Sequence, residues 1–191
     1  NYIILEGHGR EDIDPQIDIT RTLGWFTTMY PVRLEIKESI GNSLKNIKEI
    51  LRGIPNKGIG YGSLIGYKDE HLPRVRFNYL GQFDKEDNIQ EIVQLQGGKQ
   101  AQNSWNIVGE DSGISVHPDN KNHNIIDMSG WVIDGKLRFN ITSKLDKNTT
   151  NKLSKLFKES LENIISYTIG KNRSYLTVSD INYVINQKYL D

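Results

Sequence analysis

The apolar and polar positions change period several times along the chain, and each change marks an element. Tyr2 to Leu5 form an apolar run that ends at Glu6 and predicts a strand over residues 2–6. Residues 28–36 (TMYPVRLEI) predict a second strand. Pro31 fits there only near a sheet edge or a bulge, since proline has no N–H to give to a ladder. The polar stretch DIDPQIDIT between them reads as a loop. From Ser39 onward, Ile40, Leu44, Ile47, Leu51 and Ile54 recur at spacings of four and three, one face of a helix stopped by Gly53 and Pro55.

The stretch PNKGIGYGSLIGY is too glycine-rich for a regular element, whereas residues 74–80 (RVRFNYL) alternate as a strand with Val75, Phe77 and Tyr79 on one face. Residues 85–103 read as loop, followed by short strands at SWNIVG and GISVH. Asp134-Gly135 supplies the positive φ angles of a two-residue hairpin turn and predicts antiparallel pairing of residues 128–133 with 136–142. Leu153, Leu156, Phe157, Leu161, Ile164 and Ile165 then mark a long amphipathic helix, starting near Asn148 or Thr149 and stopped by Gly170. The last residues predict a short helix capped by Ser179. The expected class is mixed α/β, one body over residues 1–181 with residues 182–191 as a tail.

Composition narrows the function classes. Lysine plus arginine and aspartate plus glutamate both number 24, so no net field draws the chain to nucleic acid or an anionic membrane. The absence of cysteine excludes disulfides and thiolate metal sites. No apolar stretch reaches the roughly 20 residues that span a bilayer, and a soluble, cytoplasmic protein is expected. The first residue is Asn1 and a strand follows at once, which suggests a chain that starts inside a domain.

Four segments carry candidate chemistry. EGHGRE (6–11) places Glu6, His8 and Arg10 at a strand end, and Trp25 and Phe26 in TRTLGWFTTMYP read as core aromatics. GIGYG (58–62) lacks the Lys-Ser/Thr of a phosphate loop and does not lead from a strand into a helix, so nucleotide binding is rejected. His71, His117 and His123 show no metal-ligand spacing, so no metal is expected. FNYLGQFD (77–84) places Asn78 beside Tyr79.

Taken in order, EGHGRE, TRTLGWFTTMYPV, PNKGIGYG and FNYLGQFD, with TVSDI near the end, closely resemble the C-terminal half of the epimerization domains of nonribosomal peptide synthetases. The resemblance runs from residue 1 to about 181. It implies the C-terminal lobe of a chloramphenicol-acetyltransferase-like α/β sandwich. It also implies inversion of the α-carbon of an aminoacyl or peptidyl thioester by acid/base catalysis. By the same resemblance, Glu6 and Tyr79 are catalytic, Arg10, Asn78 and His8 position the substrate or the loop, and no cofactor or metal is bound directly. The substrate would arrive on the phosphopantetheine arm of a peptidyl carrier protein. The other implied partners are the N-terminal lobe of the same domain and neighbouring synthetase modules.

Regular strand geometry sends Asn78 and Tyr79 to opposite faces, and Tyr79 is the one expected to reach the tunnel between the lobes. The family's paired-histidine motif belongs to the N-terminal lobe and does not occur in this sequence. An isolated lobe is therefore expected to be inactive and to present apolar surface to its partner. Two other readings fit some of the same residues. One is a condensation-domain lobe that forms peptide bonds, against which Glu6 to Arg10 argue; the other is a non-catalytic lobe that docks the carrier protein.

Overall fold

The computed structural model describes residues 1–66, 68–83, 113, 117, 119–171, 174–181 and 186–190. Five strands form one mixed sheet: β1 (Tyr2–Gly7), β2 (Thr28–Arg33), β3 (Val75–Gln82), β4 (Ile126–Ile133) and β5 (Lys136–Ser143), in the spatial order β2-β1-β3-β4-β5. β1 pairs antiparallel with β2 and parallel with β3, β3 runs parallel to β4, and β4 turns back antiparallel onto β5. Pro31 thus lies on an edge strand, opposite Ile4, where its missing N–H costs the sheet little. The β4–β5 turn has φ 53° at Asp134 and 65° at Gly135, as the sequence leads one to expect.

The register sorts the side chains into two faces. Leu5 lies opposite both Tyr30 and Phe77, and Gly130 lies opposite both Tyr79 and Phe139. Leu5, Tyr30, Phe77 and Phe139 thus share an apolar face, which the helices cover. Phe139 meets Phe157 of α3 (Lys147–Ile169) edge-on at 4.8 Å between ring centroids. α1 (Ile40–Arg52) joins the same layer: a Cβ on Gly41 would lie 2.2 Å from the Tyr167 hydroxyl of α3. Gly58, at φ +81°, lies so close to Tyr30 that a Cβ would stand 2.1 Å from its ring. The opposite face carries Ile4, Glu6, Arg76, Asn78 and Asp127, because Ile4 pairs with Arg76, Arg76 with Asp127 and Asn78 with Ser129. Of the described apolar residues, Ile4, Tyr30 and Val32 are buried.

Several boundaries and caps depart from expectation. The glycine-rich segment forms a 3-10 turn at Pro55–Gly58 and a one-turn helix, α2 (Tyr61–Ile65), because positive φ at Asn56, Lys57 and Gly58 reverses the chain between α1 and α2. Ser39 caps α1 through the Asn42 N–H, but α3 is capped by Asp146 through the Thr149 N–H. The Val178–Asp180 turn is capped by Thr177, not Ser179: Thr177 and Asp180 exchange side chain-to-backbone hydrogen bonds in a capping box. Trp25 is 90% exposed, as is Leu23 at 100%, so Trp25 does not belong to the core. The expected loop at 85–103 and the SWNIVG strand lie outside the described residues, as does most of GISVH.

Candidate active site

Glu6 sits near the C-terminal end of β1, where parallel pairing with β3 brings its carboxylate alongside Arg76 and Asn78. These two residues alternate onto one face of β3, so each reaches a different carboxylate oxygen. Arg76 Nη1 donates to Glu6 Oε1 at 3.1 Å, and Asn78 Nδ2 donates to Oε2 at 2.6 Å. Arg76 Nε donates to Asp127 of β4, and Asp127 accepts further from Asn122 Nδ2 at 2.7 Å and from Asn124 Nδ2 at 3.3 Å. One guanidinium therefore bridges two carboxylates, both largely shielded from solvent, while Arg76 itself is about one-third exposed. Beside this group lies a cleft of about 190 Å³ whose walls include Ile4, Met29, Arg76, Lys121 and His123.

Tyr79 points to the other face, is 50% exposed, and lies opposite Gly130. The irregularity in the β3–β4 ladder falls after it, between Tyr79 and Gln82, and leaves the alternation of Asn78 and Tyr79 intact. The geometry therefore brings Asn78, and not Tyr79, to Glu6.

Arg10 does not touch Glu6 or Glu11. Its guanidinium donates to the carbonyls of Ile19 and Thr22 at 2.9 Å and of Gly24 at 3.2 Å, and stacks on Phe26 at 4.2 Å. It ties the 19–26 loop to the strand end. Gly9, at φ +70°, permits this closure, since a Cβ there would stand 1.7 Å from the Phe26 carbonyl oxygen. His8 Nδ1 accepts the Arg10 N–H at 3.0 Å, and its Nε2 lies 3.1 Å from Glu11. Glu11 also binds Lys57 at 2.7 Å, and that contact holds the Lys57 amine above its ordinary range. Thr28 Oγ1 is buried at the start of β2 without a hydrogen-bond partner among the described residues.

Sequence reading missed Arg76 and Asp127. Arg76 reads as ordinary strand alternation and Asp127 falls one residue before the strand predicted at 128–133, and only parallel pairing across three strands brings them to Glu6.

A second charged cluster joins α1 to the 177–180 turn. Lys48 Nζ and Arg52 Nη1 both bind Asp180, the arginine at 2.6 Å, and the Thr177 N–H adds a third donor at 2.7 Å. The Lys48 ammonium, this amide and the Arg52 guanidinium hold the Asp180 carboxyl far below the usual carboxylate range. Glu49 accepts from the Ser179 hydroxyl at 2.5 Å, which likewise lowers its pKa.

Residues 2–183 match the family described as the condensation domain, and the chain belongs to that family. Bacitracin synthase 1 of Bacillus licheniformis is 36% identical over 189 residues, and gramicidin S synthase 1 of Brevibacillus brevis is 34% identical over 195. These alignments cover 93% and 95% of this chain but 3% and 17% of the respective synthases. The crystal structure of the epimerization domain from the third module of tyrocidine synthetase B superposes with a TM-score of 0.68 at 33% identity. That match covers 89% of this chain and 38% of the solved one. The chain thus has the α/β fold of the condensation superfamily of nonribosomal peptide synthetases and spans only part of the length of the relatives it matches. Among the described residues, no helix is long and apolar enough to cross a membrane.

Proposed function

We propose that this chain supplies one half of an epimerization site, in which Glu6 exchanges a proton with the α-carbon of an aminoacyl or peptidyl thioester held on a carrier protein. The observation that carries this reading is the fixing of the Glu6 carboxylate: Arg76 holds one oxygen and Asn78 the other, near the end of a parallel strand pair. Its likeness to a solved epimerization domain, at 33% identity, supports the same reaction class.

Chemically, the α C–H bond breaks, its electron pair moves onto the thioester carbonyl to give an enolate, and a proton returns to the other face of the carbon. Two groups on opposite sides of the carbon meet this need. Glu6 serves one side. By family resemblance a histidine of the N-terminal lobe serves the other, and the substrate enters on the phosphopantetheine arm of a peptidyl carrier protein. Asn78 orients Glu6, and Arg10 shapes the adjoining loop. Tyr79, on the far face, is left with a supporting role.

The test is inversion of a carrier-bound L-aminoacyl thioester by the full-length domain, with Glu6→Gln alongside. A fall of about 10² to 10⁴ in the rate of D-isomer formation is expected, the usual contribution of a general acid or base. A parental domain that forms peptide bonds and inverts no centre would instead establish the condensation reading. One that only binds the carrier would establish the docking reading.

A further inference from the structure

Beyond the Glu6–Asn78 contact, we infer that Arg76 is the positioning residue of the Glu6 carboxylate and that Asp127 is what holds Arg76 in place, an inference that rests on the epimerization reading above. Three neighbouring strands each give one member of the chain: Glu6 from β1, Arg76 from β3 and Asp127 from β4. The register sets all three on one face.

Two features separate this arrangement from an incidental surface ion pair. The first is geometric. Arg76 uses different guanidinium nitrogens for its two partners, Nη1 for Glu6 and Nε for Asp127, so its plane is fixed at both edges. Asp127 is anchored in turn by the side chains of Asn122 and Asn124, and the backbone N–H of Ile125 donates to the Arg74 carbonyl at 2.7 Å, seating that segment against the start of β3. The second is the balance of charge. Two carboxylates share one cation, so the trio carries a net charge of −1 when all three are ionised, and one proton on Glu6 makes it neutral. Arg76 can then orient Glu6 in either protonation state without becoming a lone, partly buried cation, because Asp127 remains beside it.

A lysine at position 76 retains the charge but not the fork that reaches both carboxylates. A methionine retains the apolar stem and neither contact. An effect exerted through Glu6 must also vanish once Glu6 can no longer exchange a proton.

The experiment measures inversion by the full-length domain in the parental form and in Arg76→Met, Arg76→Lys, Asp127→Asn, Glu6→Gln and the Glu6→Gln/Arg76→Met pair. We expect kcat to fall roughly tenfold to a hundredfold in Arg76→Met, the scale of a misplaced catalytic group, with KM for the carrier-bound thioester unchanged. Arg76→Lys and Asp127→Asn should show smaller losses of the same kind. The paired variant should be no slower than Glu6→Gln alone. If Arg76→Met unfolds the domain, Arg76→Lys and Asp127→Asn carry the same comparison. Parental kcat in the Arg76 and Asp127 variants beside a slow Glu6→Gln would overturn this inference while leaving the epimerization reading intact. A further full loss in the paired variant would overturn it too, by showing that Arg76 acts independently of Glu6. Parental turnover by Glu6→Gln would remove the epimerization reading, and this inference with it.

Discussion

The charged clusters around Asp180 and Glu6 use the same side-chain types in inverse proportion. At Asp180, two cations and a backbone amide converge on one carboxylate; at Glu6, two carboxylates share one guanidinium, and the second donor to Glu6 is a neutral amide. The Asp180 cluster is rich in donors, and the Lys48, Thr177 and Arg52 hydrogen bonds drive the Asp180 carboxyl far below the usual carboxylate range. Such a cluster suits a clamp that fastens the 177–180 turn to α1. The Glu6 cluster has fixed geometry and more carboxylates than cations, which suits a group proposed to take up a proton. Counting salt bridges would rank the two alike; counting which sign is in excess separates them.

Clamp and site should respond to substitution in opposite ways. Asp180→Ala should lower the Tm of the full-length domain by several degrees, since it removes the acceptor shared by Lys48 and Arg52 and half of the Thr177 capping box. Glu6→Gln keeps an oxygen for Arg76, which also retains Asp127, and a turn of the Asn78 amide lets its Oδ1 accept from the new Nε2, so Tm should stay within about 1 °C of the parent. Thermal unfolding followed by circular dichroism reads both, and equal drops would erase the distinction between clamp and site.

The same clamp predicts a pH signature. The folded pKa of Asp180 lies below the value of about 3.9 expected in the unfolded chain, so its contribution to stability is fully present above pH ~4 and fades as pH falls through the folded value. The Tm gap between the parent and Asp180→Asn should therefore be constant from pH 6 to 5 and close progressively below about pH 4. A gap that widens toward acid would contradict the assignment.

A finer test lies within the site. Asn78→Ala removes the donor to Glu6 Oε2 and should slow inversion about tenfold, the upper end of one hydrogen bond's net worth. Tyr79→Phe, on the opposite face, should slow it less than about threefold. The reverse order would mean that the strand presents Tyr79, and not Asn78, to the reacting carbon.

Much of this architecture could be read from sequence because it depends on local rules. The four-three spacing of Ile40 to Leu51, the Asp134-Gly135 turn and the restriction of Pro31 to an edge or a bulge all appear in the structure within a residue or two. Glu6 stands out locally as a charge that abruptly ends an apolar run, but its candidate role comes from the resemblance of the four ordered segments to a known family. The partners of Glu6 do not stand out. Arg76 and Asp127 lie 70 and 121 positions further along the chain, and only the parallel register of three strands places them on one face. Which of Asn78 and Tyr79 shares the face of Glu6 likewise depends on the absolute face of β3, which alternation alone leaves undetermined. Thr177 was overlooked as a cap because Ser179 is an equally good capping residue by type, and the choice rests on the reciprocal bonds with Asp180.

The central claim is that Glu6 moves the α-proton, and the most direct measurement is wash-in of solvent deuterium at the α-carbon of a carrier-bound aminoacyl thioester, followed by mass spectrometry of the full-length domain and its Glu6→Gln variant. Deuterium enters only if the C–H bond is broken, so the readout is independent of any later step. Steady incorporation by the parent is expected, with a rate lower by about 10² to 10⁴ in the variant. Incorporation at the parental rate in Glu6→Gln would contradict the claim.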